Sequence, residues 1–187
     1  MDTALLVIDV QESFTHRPYF SSDDVPRFLK AQNALIAGAQ QAGMPIVRVF
    51  HTNPNGDASD SFAIVSGLVR PLEGLMAFDA AHTVYKTRHS ALVGTGLDVW
   101  LVAQGIRQLI VSGIRTEQCC ETTTRHASDL GWKVSFVPDA TLTWDMSLAD
   151  GARFAAADIR ARTAAVLKGR FAEVQTGEEA LAHAQAD

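Results

Sequence analysis

Leu109-Ile-Val-Ser-Gly-Ile-Arg-Thr-Glu-Gln-Cys-Cys-Glu-Thr-Thr-Thr124 is the stretch on which the reading of this chain turns. Leu109, Ile110 and Val111 form the short apolar run of a strand buried on both faces. Gly113 permits a sharp turn, and Thr116 is a suitable N-cap for the helix that should follow. Cys119 then falls at the third helical position. Unpaired backbone N–H groups and the positive end of the helix dipole favour negative charge there, which predicts a lowered thiol pKa. On this segment alone a buried packing cysteine competes evenly with a reactive one, because cysteine is among the residue types most often buried.

Outward from this stretch, other strands end on chemistry. Thr3-Ala-Leu-Leu-Val-Ile-Asp9 is a second buried-strand run that stops at a carboxylate, and Thr83-Val-Tyr-Lys86 is a short strand that stops at a lysine. In an open α/β sheet, functional groups gather at the carboxyl ends of strands. Taken singly, Asp9 reads equally well as a cap or ion-pair partner and Lys86 as a solvated charge. An acid, an amine and a thiol at three strand ends make the stronger signal.

Strand and helix patterns alternate along the chain. Strands are predicted over 3–9, 45–50, 83–86, 107–113, 133–137 and 171–175. Helices are predicted over 24–42, 94–105, 116–130, 147–166 and 177–185. Residues 51–81, rich in Gly, Asp, Ser and Pro, form a long irregular section of the kind that serves a function or moves. Strands separated by helices pair in parallel through right-handed crossovers, giving a sheet covered on both faces. With 187 residues and 47% hydrophobic content, the chain has enough material for one domain spanning 1–187.

The formal net charge of −5 argues against a nucleic-acid partner. No apolar run reaches the ~18 residues of a membrane span, and the first residues do not read as a leader. The two cysteines, Cys119 and Cys120, are adjacent and provide no disulfide framework, so the expected compartment is the cytoplasm.

These motifs together resemble the isochorismatase-like cysteine hydrolases, a superfamily that also holds nicotinamidases, N-carbamoylsarcosine amidases and ureidoacrylate or biuret amidohydrolases. The matching pieces are Leu6-Val-Ile-Asp9-Val-Gln11, Lys86-x-x-x-Ser90-Ala-Leu-x-Gly94-Thr95-x-Leu97, Gly113-Ile-Arg-Thr116-x-x-Cys119 with Thr123 and Ala127, and Val137-x-Asp139-Ala140. The resemblance implies a Rossmann-like three-layer α/β/α sandwich around a six-stranded, mainly parallel sheet, with Asp9, Lys86 and Cys119 as the triad. It also implies a non-proline cis peptide at Ile114–Arg115 that aims the amides of Arg115 and Cys119 at the substrate oxygen. A homo-oligomer, dimer or tetramer, follows from the same likeness, and no organic cofactor.

Nicotinamidases of the superfamily carry an Asp-x-His element after the second strand. Here Val49-Phe50-His51 has no carboxylate two residues before the histidine and no second histidine soon after it. The zinc ligand set is incomplete, so no metal is expected. The resemblance makes Cys119 the nucleophile, and Cys120, about 100° round a helix axis, a core residue.

The chemistry that follows is thiol attack on a small amide or ureide. Cys119 supplies the nucleophile, Asp9 a base that later serves as acid, and Lys86 the charge that holds them. Isochorismatase-type vinyl ether hydrolysis with Asp9 as acid is the alternative within enzymes, and a thiol redox sensor the alternative outside them. Candidate substrate contacts are Gln11, Phe14, His51, His89 and Trp144. Phe20, Ser90 and the guanidinium groups of Arg88 and Arg115 lie in the same segments.

Overall fold

The computed structural model describes residues 2–186. Its strands form where apolar residues run without interruption. β1 (Thr3–Ile8) is buried at every position, as is β4 (Gln108–Ile114). Along β1, Ala4, Leu6 and Ile8 enter one hydrophobic core while Leu5 and Val7 enter another. That two-sided burial is why a parallel strand reads as a continuous apolar run instead of an alternating one.

With β2 (Ile46–His51), β3 (His82–Lys86), β5 (Lys133–Leu142) and β8 (Glu173–Val174), these strands make a six-stranded sheet in the order β3-β2-β1-β4-β5-β8, each pairing parallel. One face is covered by α1 (Val25–Gln41) and α5 (Gly177–Ala186), through Phe28, Leu35, Ile36, Ala180 and Ala184. The other is covered by α2 (Leu97–Ala103), α3 (Glu121–Asp129) and α4 (Ala156–Leu167), through Leu97, Leu101, Ala127 and Leu167. The result is the three-layer α/β/α sandwich expected. Strand order reverses between β1 and β4, which is where open α/β sheets place their ligands. Among the described residues no helix is long and apolar enough to cross a membrane.

β5 runs on to Leu142 where a strand over 133–137 was expected, α2 and β8 are shorter than expected, and two helices differ more. The helix predicted over 147–166 starts only at Ala156. Before it, β6 (Met146–Ser147) and β7 (Arg153–Phe154) form an antiparallel hairpin. Asp150-Gly151 makes its turn: Gly151 sits at φ 88°, and the Ala152 amide donates to Asp150 Oδ1 at 3.0 Å. The helix predicted over 116–130 is α-helical only from Glu121. Thr116–Cys120 is a π-helical turn in which the Cys120 amide donates to the Arg115 carbonyl at 3.2 Å. Thr116 is not its N-cap, because its hydroxyl donates to Thr141 Oγ1 on β5 at 2.8 Å.

Candidate active site

Four neighbouring strands each deliver one group to the same end of the sheet. Asp9 follows β1 directly with φ 53°, a left-handed backbone that aspartate tolerates better than most side chains, and its amide donates to the Val49 carbonyl at 2.8 Å. His51 ends β2, Lys86 ends β3, and Cys119 lies in the turn after β4. The approach of β4 to β1 depends on Gly113. It has φ 127°, and a Cβ there would sit 1.9 Å from the Ile8 carbonyl oxygen, so no side chain fits without moving the strand that carries Asp9. The Ile114–Arg115 peptide that follows is cis, as the resemblance implied.

Lys86 Nζ stands at the centre. It is 2.7 Å from Asp9 Oδ2, donates to His51 Nδ1 at 2.9 Å and to the Arg88 carbonyl at 3.1 Å, and lies 3.3 Å from Cys119 Sγ. An ammonium has three hydrogens, so four acceptors share it. The Asp9 and Lys86 side chains are both fully buried. Burial pushes the Asp9 carboxyl above its usual range, against the pull of Lys86. Burial also works against the Lys86 charge, but Asp9 and the thiol outweigh it and its pKa is raised. The Cys119 thiol is raised, first by burial and then by the Asp9 charge, against the pull of Lys86.

This last direction corrects the expectation of a thiolate favoured by a helix start. The turn is π-helical, and burial beside a carboxylate raises the thiol. The sign has a chemical meaning. Loss of the thiol proton to solvent would leave two anions on one ammonium. Transfer of that proton to Asp9 leaves the total charge of the site unchanged and makes the thiolate only where it can act.

One side chain holds this arrangement from behind. Gln11 is fully buried and clamps the His51 peptide: its Oε1 accepts the His51 amide at 2.8 Å and its Nε2 donates to the His51 carbonyl at 3.0 Å. It does not reach the cavity, so its role is to fix His51. Burial, then the charges of Lys86 and His89, depress the His51 pKa to about 4. The ring is therefore neutral near pH 7, accepting from Lys86 through Nδ1.

Asp9, His51 and Cys119 place ligand atoms within 4.8 Å of one another, the closest approach to a metal-binding set in this region. All three already face the Lys86 ammonium at 2.7–3.3 Å, so a cation occupies the space that a metal would need. The donor set does not fit a metal.

Above the thiol opens a cavity of about 540 Å³. Phe14 and His51 line it, as do Arg88 and His89 from the segment after Lys86. Trp144 does not. It is buried behind the wall, its indole N–H donating to the Ser21 carbonyl at 2.9 Å while its ring packs on Phe14, Tyr19 and Phe20. The Arg115 guanidinium also lies outside the lining, paired with Glu117 Oε1 at 3.1 Å and lying over Tyr19. Ser90 hydrogen-bonds His126 across 2.8 Å and is structural. Sequence reasoning missed Tyr19, Asn53, Phe62 and Gln118 in the lining. Only Gln118, beside the nucleophile, carried a positional signal.

A thiol, a carboxylate and an ammonium thus meet at the switch point of a parallel α/β sheet. The sequence model of the isochorismatase domain matches residues 3–176, and the chain belongs to the isochorismatase family of hydrolases. It is 32% identical over 179 residues to a streptothricin hydrolase of Streptomyces noursei, covering 94% of this chain and 60% of that longer protein. A nicotinamidase of Arabidopsis thaliana is 32% identical over 157 residues, 78% of this chain and 75% of that one. A crystal structure of an isochorismatase-type protein from Burkholderia xenovorans superposes with a TM-score of 0.87 at 32% identity, covering 99% of this chain and 88% of that one.

Proposed function

We propose that this protein hydrolyses a C–N bond, amide or ureido, of a small molecule through a thioester on Cys119. The observation that carries the reading is the position of Lys86 Nζ, 2.7 Å from Asp9 Oδ2 and 3.3 Å from Cys119 Sγ. In the first step Asp9 takes the thiol proton as sulfur attacks the carbonyl carbon, and the backbone amides of Arg115 and Cys119 receive the oxyanion. Asp9 then protonates the departing nitrogen and the amine leaves. Water, deprotonated by Asp9, attacks the thioester. The acid product forms and the sulfur regains its proton from Asp9. Relatives whose names describe a nicotinamidase and a streptothricin hydrolase agree with this class. A cytoplasmic homo-oligomer, without metal or cofactor, belongs to the same proposal.

Vinyl ether hydrolysis is the second reading, favoured by one observation: burial raises Asp9, which suits a carboxylic acid that donates its proton. The raised Cys119 thiol runs against a redox sensor, which depends on standing thiolate. The test is ammonia or amine release from a panel of small amides and ureides, with intact-mass detection of an acyl adduct. Wild type should release nitrogen and form an adduct that Cys119→Ala cannot form. Equal nitrogen release by Cys119→Ala would overturn thiol catalysis and move Asp9-driven acid catalysis ahead.

A further inference from the structure

The charges around the cavity do not cancel. Asp9 and Lys86 neutralise each other, and His51 is uncharged near pH 7. The one carboxylate in the outer lining, Asp60, is already engaged: Asn53 Nδ2 donates to it at 2.7 Å, the Phe62 amide at 2.9 Å, and the Arg17 charge falls on it. Arg17 itself lies over the Phe62 ring. That leaves Arg88. Its guanidinium lines the cavity, and its only hydrogen bond among the described residues is a 3.2 Å contact with the neighbouring Thr87 carbonyl.

Arg88 is also tied to the chemistry through its backbone. Its carbonyl accepts a hydrogen bond from Lys86 Nζ at 3.1 Å, so its main chain is held at a fixed distance from the group that contacts the thiol. Phe14, Tyr19 and Phe62 supply an aromatic wall elsewhere in the same cavity. The volume of about 540 Å³ suits a small molecule. A guanidinium without a carboxylate partner, set in a cleft with a thiol, is a fork of donors built for a planar anion.

We propose that the substrate carries a carboxylate, bound by Arg88 while its amide or ureido carbonyl lies at Cys119. This rests on the hydrolase reading above and adds the class of molecule. The carboxylate accepts from the guanidinium, the body of the substrate lies along the aromatic wall, and the C–N bond to be cut points at the thiol. The uncompensated charge also draws anions toward the cleft, an effect that salt weakens.

The experiment uses matched pairs: 3-ureidopropanoate, succinamate and 4-carbamoylbenzoate, each against its methyl ester. Ammonia release is measured on the full chain, and binding is measured by calorimetry on Cys119→Ala, which removes the chemistry but keeps the cavity. The acid of at least one pair should be preferred in kcat/KM and bind Cys119→Ala more tightly than its ester. In Arg88→Gln the acid-to-ester ratio should fall about 10- to 100-fold, and Arg88→Lys should restore part of it. Raising ionic strength should lower the wild-type ratio. Esters turned over or bound as well as acids, or a ratio untouched in Arg88→Gln, would overturn the carboxylate proposal and leave the hydrolase reading standing. Acids that bind through Arg88 without forming any Cys119 adduct in wild type would overturn the hydrolase reading instead. No binding and no turnover of any pair would overturn the proposal.

Discussion

Two buried carboxylates flank the same turn and behave differently. Glu121, first residue of α3, accepts from Arg125 Nε and Nη2 on one oxygen at 3.0 and 2.8 Å, and from Arg162 Nη1 and Thr163 Oγ1 on the other at 2.7 and 3.2 Å. Asp9, across the turn, has one ammonium, and that ammonium also serves a thiol, a histidine and a carbonyl. Glu121 binds α4 to α3 with every lone pair directed at a dedicated donor. Asp9 is buried more completely and compensated less, which fits the proton-accepting role proposed for it. The lesson is that reactivity comes from shared compensation, whereas stability comes from dedicated partners.

The sharpest way to break this contrast is to remove the members of each set in turn. Cys119→Ala, Asp9→Asn and Lys86→Met should each lower kcat/KM on the order of 10⁴-fold, with double variants scarcely worse than singles, because the three act as one unit. Glu121→Gln should stay within about tenfold of wild type by the same steady-state assay. Additive losses in the triad variants would show that the three groups act separately.

Gly113→Ala tests the backbone beneath Asp9. The new Cβ meets the Ile8 carbonyl at 1.9 Å, and φ 127° is strained for alanine. Folding stability from urea titration should fall by roughly 3 kcal/mol or more. An unchanged midpoint would mean that β1 and β4 have freedom to part.

Glu121→Ala leaves Arg162 and Arg125 without their acceptor. Both guanidinium groups reach solvent, with side-chain exposures of 59% and 34%, so the cost should be moderate, about 1–3 kcal/mol in the same titration. A loss much smaller than that would reduce Glu121 to a surface pair.

The smallest effect concerns His51. Its folded pKa of about 4 lies below its usual 6.5, so the unfolded chain binds the proton more readily. The ring's contribution to stability is therefore full above pH 6.5 and is lost as pH falls toward 4. His51→Asn should flatten the stability difference between pH 7 and pH 4.5 by about 1–2 kcal/mol. An identical pH profile in the variant would place the ring's titration outside the site.

Much of this was legible before the structure, for physical reasons. The strands of a doubly covered parallel sheet must be apolar throughout, so 3–8 and 108–114 announce themselves, and the polar residues at their ends stand out by contrast. The Asp150-Gly151 turn was equally present in the sequence, yet the helix expected over 147–166 runs straight through it. The π-helical turn gave no such sign, since its residues satisfy an α-helical pattern as well. The cavity wall was least legible. Tyr19 lies before α1 and Phe62 in the irregular section after β2, and nothing local in either stretch records their shared cavity. The thiol's upward shift comes first from burial in the folded core and then from Asp9, 110 positions earlier in the chain, and no inspection of the cysteine's own turn reveals either.

The placement of one group on each of β3, β2, β1 and β4, adjacent in the sheet, also bears on biosynthesis. A nascent chain that has emerged as far as β3 can pair three strands and bring Asp9 and Lys86 to the same end, but the edge of β1 that β4 will occupy is still bare. The thiol arrives only when a segment about 100 residues downstream of β1 docks on that edge, a non-local pairing of the slow kind. Regain of activity on refolding should therefore lag behind collapse and report the closing of that single seam.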